Sequence, residues 1–132
     1  MATDPLVRIR ATCLALPGAS EKAAWGEATF RVRSKMFAMT DGHNPEHGNE
    51  LSLWCNAPPG FQQAMVKTNP RRFFVPKYVG HKGWVAVRID RGVNWSELGM
   101  IIEGAYRMIA PSSVAEQARK APPAKSRKAK RS

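Results

Sequence analysis

Between Asn94 and Pro111 the chain spells one amphipathic helix, and that helix dictates what the rest must provide. Leu98, Ile101, Ile102, Ala105, Tyr106 and Ile109 fall at i, i+3, i+4, i+7, i+8 and i+11, a single apolar stripe. Asn94 is placed as the N-cap with Glu97 three residues on, the spacing of a capping box, and Pro111 closes the pattern. Such a stripe must be buried against another apolar layer. The preceding chain offers that layer as strands. Phe30 and Val32 alternate with Thr29, Arg31 and Arg33; Leu51, Leu53 and Cys55 alternate with Ser52 and Trp54; Val85, Val87 and Ile89 face one way in "WVAVRID". Period two puts each set on one face of a sheet.

Two further helices complete the pattern. Asp4 and Pro5 suit an N-cap and a first helical position, and Leu6, Ile9, Cys13 and Leu16 recur at helical spacing before "PG" at 17–18. "FQQAMVKT" reads as a short helix stopped by Asn69-Pro70. Ser34 and Lys35 turn the chain into "MFAMT", another strand, and "RRFFVPKYVGHKG" mixes a short extended piece with a loop. The predicted order is α-β(3)-α-β(2)-α. Adjacent strands joined by short turns give an antiparallel sheet with helices on one face, a two-layer α+β domain over residues 1–111.

The rest of the chain is of a different kind. The net charge is +11, and the seven Lys and Arg from Arg119 onward, with no acid among them, leave +4 for residues 1–118. Residues 112–132 are basic, and from Arg119 onward they lack bulky apolar side chains, so disorder is expected in this tail. Such a tail either solubilises the protein or binds polyanions by counterion release. Within the domain, no Asp or Glu occurs from Leu51 to Ile89, where Lys67, Arg71, Arg72, Lys77, Lys82 and Arg88 lie. That polarity suits a phosphate-binding face.

Alternation also predicts what points away from the helices: Thr29, Arg31, Arg33, Ser52, Trp54, Trp84, Ala86 and Arg88. An open face with Trp54 and Trp84 among arginines would suit nucleic acid or a protein partner, including a second copy.

"GHNPEHG" at 42–48 contains His43-x-x-Glu46-His47, the letters of an inverzincin zinc site. That site needs a helix to bring both histidines onto one face, whereas Gly42, Pro45 and Gly48 make a loop between strands. No metal or other cofactor is expected. No phosphate-binding glycine loop, nucleophile elbow or paired carboxylates occur, so no catalytic residue is assigned and the chain reads as a non-enzyme. Cys13 and Cys55 stand far apart among apolar neighbours and predict neither disulfide nor thiolate site. "MATDPLVRIR" lacks the layout of a secretory signal, and no apolar run is long enough to span a bilayer. A cytoplasmic protein of bacterial type, without membrane attachment, is expected.

"LPGASEKAAWG", "TFRVRSKMFAM", "PKYVGHKGWVAVRID" and a closing helix with "AYRMIA" resemble the MmcQ/YjbR family of small bacterial proteins, from about Leu6 to Ala110. The resemblance rests on Pro17-Gly18, Trp25-Gly26, Phe30 with Val32, Lys35 with Phe37, Gly83-Trp84 and Tyr106. It implies the same α-β(3)-α-β(2)-α order, likened to frataxin-like and secretion-chaperone-like folds. It also implies DNA binding through two hairpin wings, here the turn around Arg33-Ser34-Lys35 and the loop Lys77 to Lys82. The chain departs from the family at Trp54-Cys55, where a Lys commonly follows the strand, and at Ala105, where Ser is usual. The functional expectation is nucleic-acid binding, DNA favoured, through Arg31, Arg33, Lys35, Arg71, Arg72, Lys77, His81, Lys82 and Arg88. The alternative is a dimeric, chaperone-like interaction module docking through Trp54 and Trp84.

Overall fold

Helix α1 (Pro5–Leu14) starts where the Asp4 carboxylate accepts the Leu6 N–H at 3.0 Å, and it buries Leu6, Ile9 and Cys13. The computed structural model describes residues 4–42, 50–89 and 93–110. After α1 come β1 (Ala19–Ala24), β2 (Glu27–Val32), β3 (Lys35–Asp41), β4 (Ser52–Cys55), α2 (Phe61–Thr68), β5 (Phe73–Phe74), β6 (Val85–Arg88) and α3 (Trp95–Ile109). The strands form one antiparallel sheet in the order β1-β2-β3-β4-β6-β5. The α+β class and the antiparallel sheet match the expectation. One strand more than expected precedes α2.

That extra strand, β1, has the sequence ASEKAA and no apolar alternation to announce it. It exists by pairing with β2 along its whole length, from Ala19↔Val32 to Ala24↔Glu27. Two side-chain contacts fix it further. The Thr29 hydroxyl donates to the Lys22 carbonyl at 2.5 Å, and Glu21 pairs with Arg10 of α1 at 2.9 Å.

Both β1–β2 and β2–β3 are joined by two-residue turns with left-handed backbone at each central position. Trp25 and Gly26 have φ of 56° and 76°, and Arg33 and Ser34 have 52° and 70°. This is the turn whose twist matches that of paired strands, and it normally selects Asn or Gly. Holding a residue with a Cβ there costs about 1–2 kcal/mol. Arg33-Ser34 is thus a strained turn kept in place by its ladder.

The strained turn is followed by an irregularity in pairing. Phe30 faces Ala38 but Arg31 faces Met36, so Phe37 is the extra residue of a β-bulge. Phe37 and Ala38 consequently both enter the helix-side core, while Met36 and Met39 turn to the other face.

All three helices pack on one face. α1 and α3 bury their stripes against Phe30, Val32, Phe37, Leu53, Val85 and Val87, and Phe61, Met65 and Val66 of α2 join the same cluster. Each fully buried Phe, Leu or Ile contributes about 1.5–3 kcal/mol of transfer free energy. Tyr106 is wholly buried, meets Phe37 edge-on at 5.8 Å, and donates its hydroxyl proton to the Pro17 carbonyl at 2.7 Å. Asn94 caps α3 as expected, accepting the Glu97 N–H at 3.0 Å. The Glu97 carboxylate, however, turns outward to the Arg72 guanidinium.

The opposite face corrects the expectation of an open Trp/Arg surface. Trp54 and Trp84 do point away from the helices, but each is only 6 % exposed. They form a second apolar cluster with Met39 and Ala86, closed by Met36, Phe74 and Val79. Trp54 also donates its indole N–H to Ser52 Oγ at 3.0 Å. The arginines stack on phenylalanines rather than on these tryptophans: Arg88 lies 4.5 Å above the Phe74 ring and Arg72 lies 4.9 Å above Phe73. Alternation located the side chains correctly, but the face is filled rather than open.

Candidate nucleic-acid interface

One row of paired residues, Phe30–Ala38–Cys55–Val85, runs across four strands and fixes which connections leave each end of the sheet. On one side of that row lies the β2–β3 turn, Arg33-Ser34. On the same side, the chain from Val75 to Trp84 arrives to start β6. Both basic segments therefore emerge from one end of the sheet. Their parent strands β3 and β6 are separated only by β4. Two strand spacings put them about 10 Å apart at the root.

Arg33, Lys35, Lys77, His81 and Lys82 are all exposed there, and none is held in an ion pair or side-chain hydrogen bond among the described residues. Neither segment, 31–36 or 75–84, contains an acid. Arg31 is half-buried and braces the turn instead. Its Nε donates to Thr29 Oγ1 at 3.1 Å and its Nη1 to the Ser34 carbonyl at 3.3 Å. It adds charge to the turn while fixing its shape.

The loop from Lys77 to Lys82 is also held in place by side-chain bonds. Gln62 of α2 is 6 % exposed, and its amide nitrogen donates to the Gly80 carbonyl at 2.8 Å and the Trp84 carbonyl at 2.6 Å. A short 3-10 turn at Gly80–Lys82 is closed by Gly83 N–H donating to the Gly80 carbonyl at 3.0 Å. Gly80 is packed so closely that a Cβ there would run into Val75 Cγ1. Tyr78, at the tip, has φ of 68° and is 82 % exposed.

The remaining three expected contacts do not join this end. β5 runs antiparallel to β6, so Arg71 and Arg72 lie at the opposite end, where the Arg88 N–H donates to the Arg72 carbonyl at 2.8 Å. Arg72 is committed to Glu97, and Arg88 is half-buried over Phe74. Only Arg71 of the three is exposed. Glu27 and Asp41 flank that far end, at the start of β2 and the end of β3. Glu27 is almost wholly buried and accepts from the Thr40 hydroxyl at 2.9 Å and the Gly42 N–H at 3.1 Å. Of the nine expected contacts, Arg31, Arg33, Lys35, Lys77, His81 and Lys82 therefore share the end of the sheet where the β2–β3 turn and the loop before β6 emerge.

Tyr78 is not among the residues that charge and alternation point to. Its signal was present in "PKYVGHKG", an aromatic inside a loop of Pro, Gly and Lys, where nothing apolar recurs to bury it.

The two cysteines and the histidine motif lead elsewhere. Cys13 and Cys55 are buried and unpaired, and burial raises both thiol pKa values, that of Cys55 to about 12. Neither is a reactive thiolate near neutral pH. His43, Glu46 and His47 lie outside the described residues, as does the 112–132 tail. Among the described residues no group of three or more His, Cys, Asp or Glu is placed to hold a metal ion. No helix among them is long and apolar enough to cross a membrane.

The YjbR family model matches residues 14–108. The chain is also similar to the crystal structure of the Deinococcus radiodurans protein DR2400, which carries the family-model domain DUF419. That likeness has a TM-score of 0.70 and 23 % identity and covers 90 % of each chain. At this identity it speaks to the fold alone. Among curated proteins none matches the sequence.

Proposed function

The chain belongs to the YjbR family, and from that premise we propose that it is a non-enzymatic, cytoplasmic nucleic-acid-binding protein with duplex DNA as its target. The observation that carries the proposal is the convergence of two pre-shaped, acid-free basic wings on one end of the sheet. Rigid presentation matters because each long side chain ordered on binding costs about 0.5–1.5 kcal/mol. A turn braced by Arg31 and a loop pinned by Gln62 leave side chains, not backbone, to be ordered on binding. The root spacing of about 10 Å is also about three base-pair steps at 3.4 Å each, so both wings reach phosphates of one duplex segment. Two buried, unpaired cysteines fit a reducing compartment.

Arg31, Arg33, Lys35, Lys77 and Lys82 would pair phosphates, with His81 adding a hydrogen bond. Five such contacts give a slope of log affinity against log salt of about −4.5. Binding would then weaken by about 500-fold between 50 and 200 mM salt, and more steeply with the tail engaged. Fluorescence anisotropy with a labelled 20-bp duplex across that range is the test. A shallow slope, or no complex at 50 mM salt, removes the proposal.

A further inference from the structure

We infer that Tyr78 is a base-stacking residue, and that the wing end therefore takes duplex containing an unstacked base in preference to uninterrupted duplex. The inference rests on the nucleic-acid reading above and specifies its substrate.

Three observations at one residue carry it. Tyr78 is the most exposed large apolar side chain of the described residues, at 82 %. Its ring makes no hydrogen bond, ring contact or cation contact there, so it performs no packing duty. Its backbone is left-handed, with φ of 68°, a conformation that burdens a residue with a Cβ and that Gly or Asn would adopt at lower cost. Strain of this kind at an exposed tip is a mark of function when the surroundings impose it. Here they do: Gln62 grips Gly80 and Trp84, Val75 packs on Gly80, and Val79 is anchored beside Trp54 and Trp84.

The neighbours decide what the ring meets. Lys77 precedes it, and His81 and Lys82 follow one turn later, all exposed. A phosphate held by Lys77 and Lys82, with a hydrogen bond from His81, leaves its base within reach of the phenol ring. An aromatic face beside cations is how proteins hold unstacked bases, because every base has a π face and every nucleotide a phosphate. In intact duplex the bases are stacked on one another and offer no face. A gap, flap or bulge offers one without the energy of unstacking.

The experiment compares a 20-bp duplex with the same duplex carrying a three-nucleotide single-stranded gap, using the full chain. Wild type is expected to bind the gapped duplex about tenfold more tightly, the effect of stacking one base. Tyr78→Phe keeps that preference. Tyr78→Ala abolishes it and leaves affinity for the intact duplex within about twofold, the thermal midpoints of all three proteins agreeing because the ring packs on nothing. Removing the bases from the gap while keeping its phosphates reduces wild-type binding to the Tyr78→Ala level. If wild type binds both duplexes equally, or Tyr78→Ala keeps the preference, the inference is overturned while the wing reading stands. If wild type binds neither duplex, both fall.

Discussion

Replacing Gln62 by Met tests whether the second wing is held by one buried amide. Met keeps the length and apolar stem of Gln but donates nothing. The change removes hydrogen bonds of 2.8 Å to the Gly80 carbonyl and 2.6 Å to the Trp84 carbonyl. At about 1 kcal/mol net for each bond the loss is about 2 kcal/mol. The Trp84 carbonyl belongs to a buried residue, and an acceptor left there without a partner pushes the cost toward 3 kcal/mol. For a domain of this size the smaller figure lowers the thermal midpoint by about 8–10 °C. Amide hydrogen exchange gives the local readout. Lys82 N–H, bonded to the Val79 carbonyl at 3.0 Å, and Gly83 N–H, bonded to the Gly80 carbonyl at 3.0 Å, should exchange faster, while amides of β2 and β3 lose only the global decrement. Charge is untouched, so the salt slope of DNA binding should persist while affinity falls several-fold from lost pre-organisation. A midpoint within about 2 °C of wild type, with unchanged exchange at Lys82 and Gly83, would refute the claim that Gln62 fixes the wing.

Two further outcomes are expected. Ser34→Gly removes a Cβ from a backbone with φ of 70°; it should stabilise the domain by about 1 kcal/mol, read as a higher urea midpoint, and a decrease would show that the turn is not strained. Both buried thiols hold their protons more tightly folded than unfolded, through desolvation first. Their contribution is therefore complete below the unfolded thiol range near about 8.5 and is lost as pH rises through it toward the folded value of about 12 for Cys55. Urea midpoints should fall above about pH 9, and the fall should be shallower in Cys55→Ala. Equal steepness in the two proteins would mean that the Cys55 thiol does not contribute.

The parts of the fold that could be read in the sequence are those with a private signal. α3 carries its stripe and its cap within its own residues, and β6 its own alternation. β1 carries neither, since ASEKAA is held at the sheet edge by backbone bonds to β2 and by Glu21–Arg10. The bulge at Phe37 is a property of a strand pair and has no trace in one strand. The same limit explains the site. Alternation gave the correct side for Trp54 and Trp84, yet could not show that Val79, arriving from the wing loop, closes over them. Arg71 and Arg72 lie a few residues from Lys77 in sequence, but β5 runs between them across the sheet and leaves them at the other end. Arg72 is further claimed by Glu97, 25 positions away. The basic turn around Arg33 and the basic loop from Lys77 to Lys82 were legible as segments because each stays together wherever the sheet puts it.

The central claim is that charge at one end of the sheet, rather than charge in general, binds the polyanion. Two double variants with equal change in net charge separate these possibilities in the full chain. Lys35→Glu with Lys82→Glu reverses the wing end, and Lys67→Glu with Arg71→Glu reverses exposed cations on the far side of α2 and β5. Anisotropy with the 20-bp duplex should show the wing pair losing about two units of salt slope along with most of its affinity, while the far pair keeps the wild-type slope. Equal losses in both pairs would contradict the account.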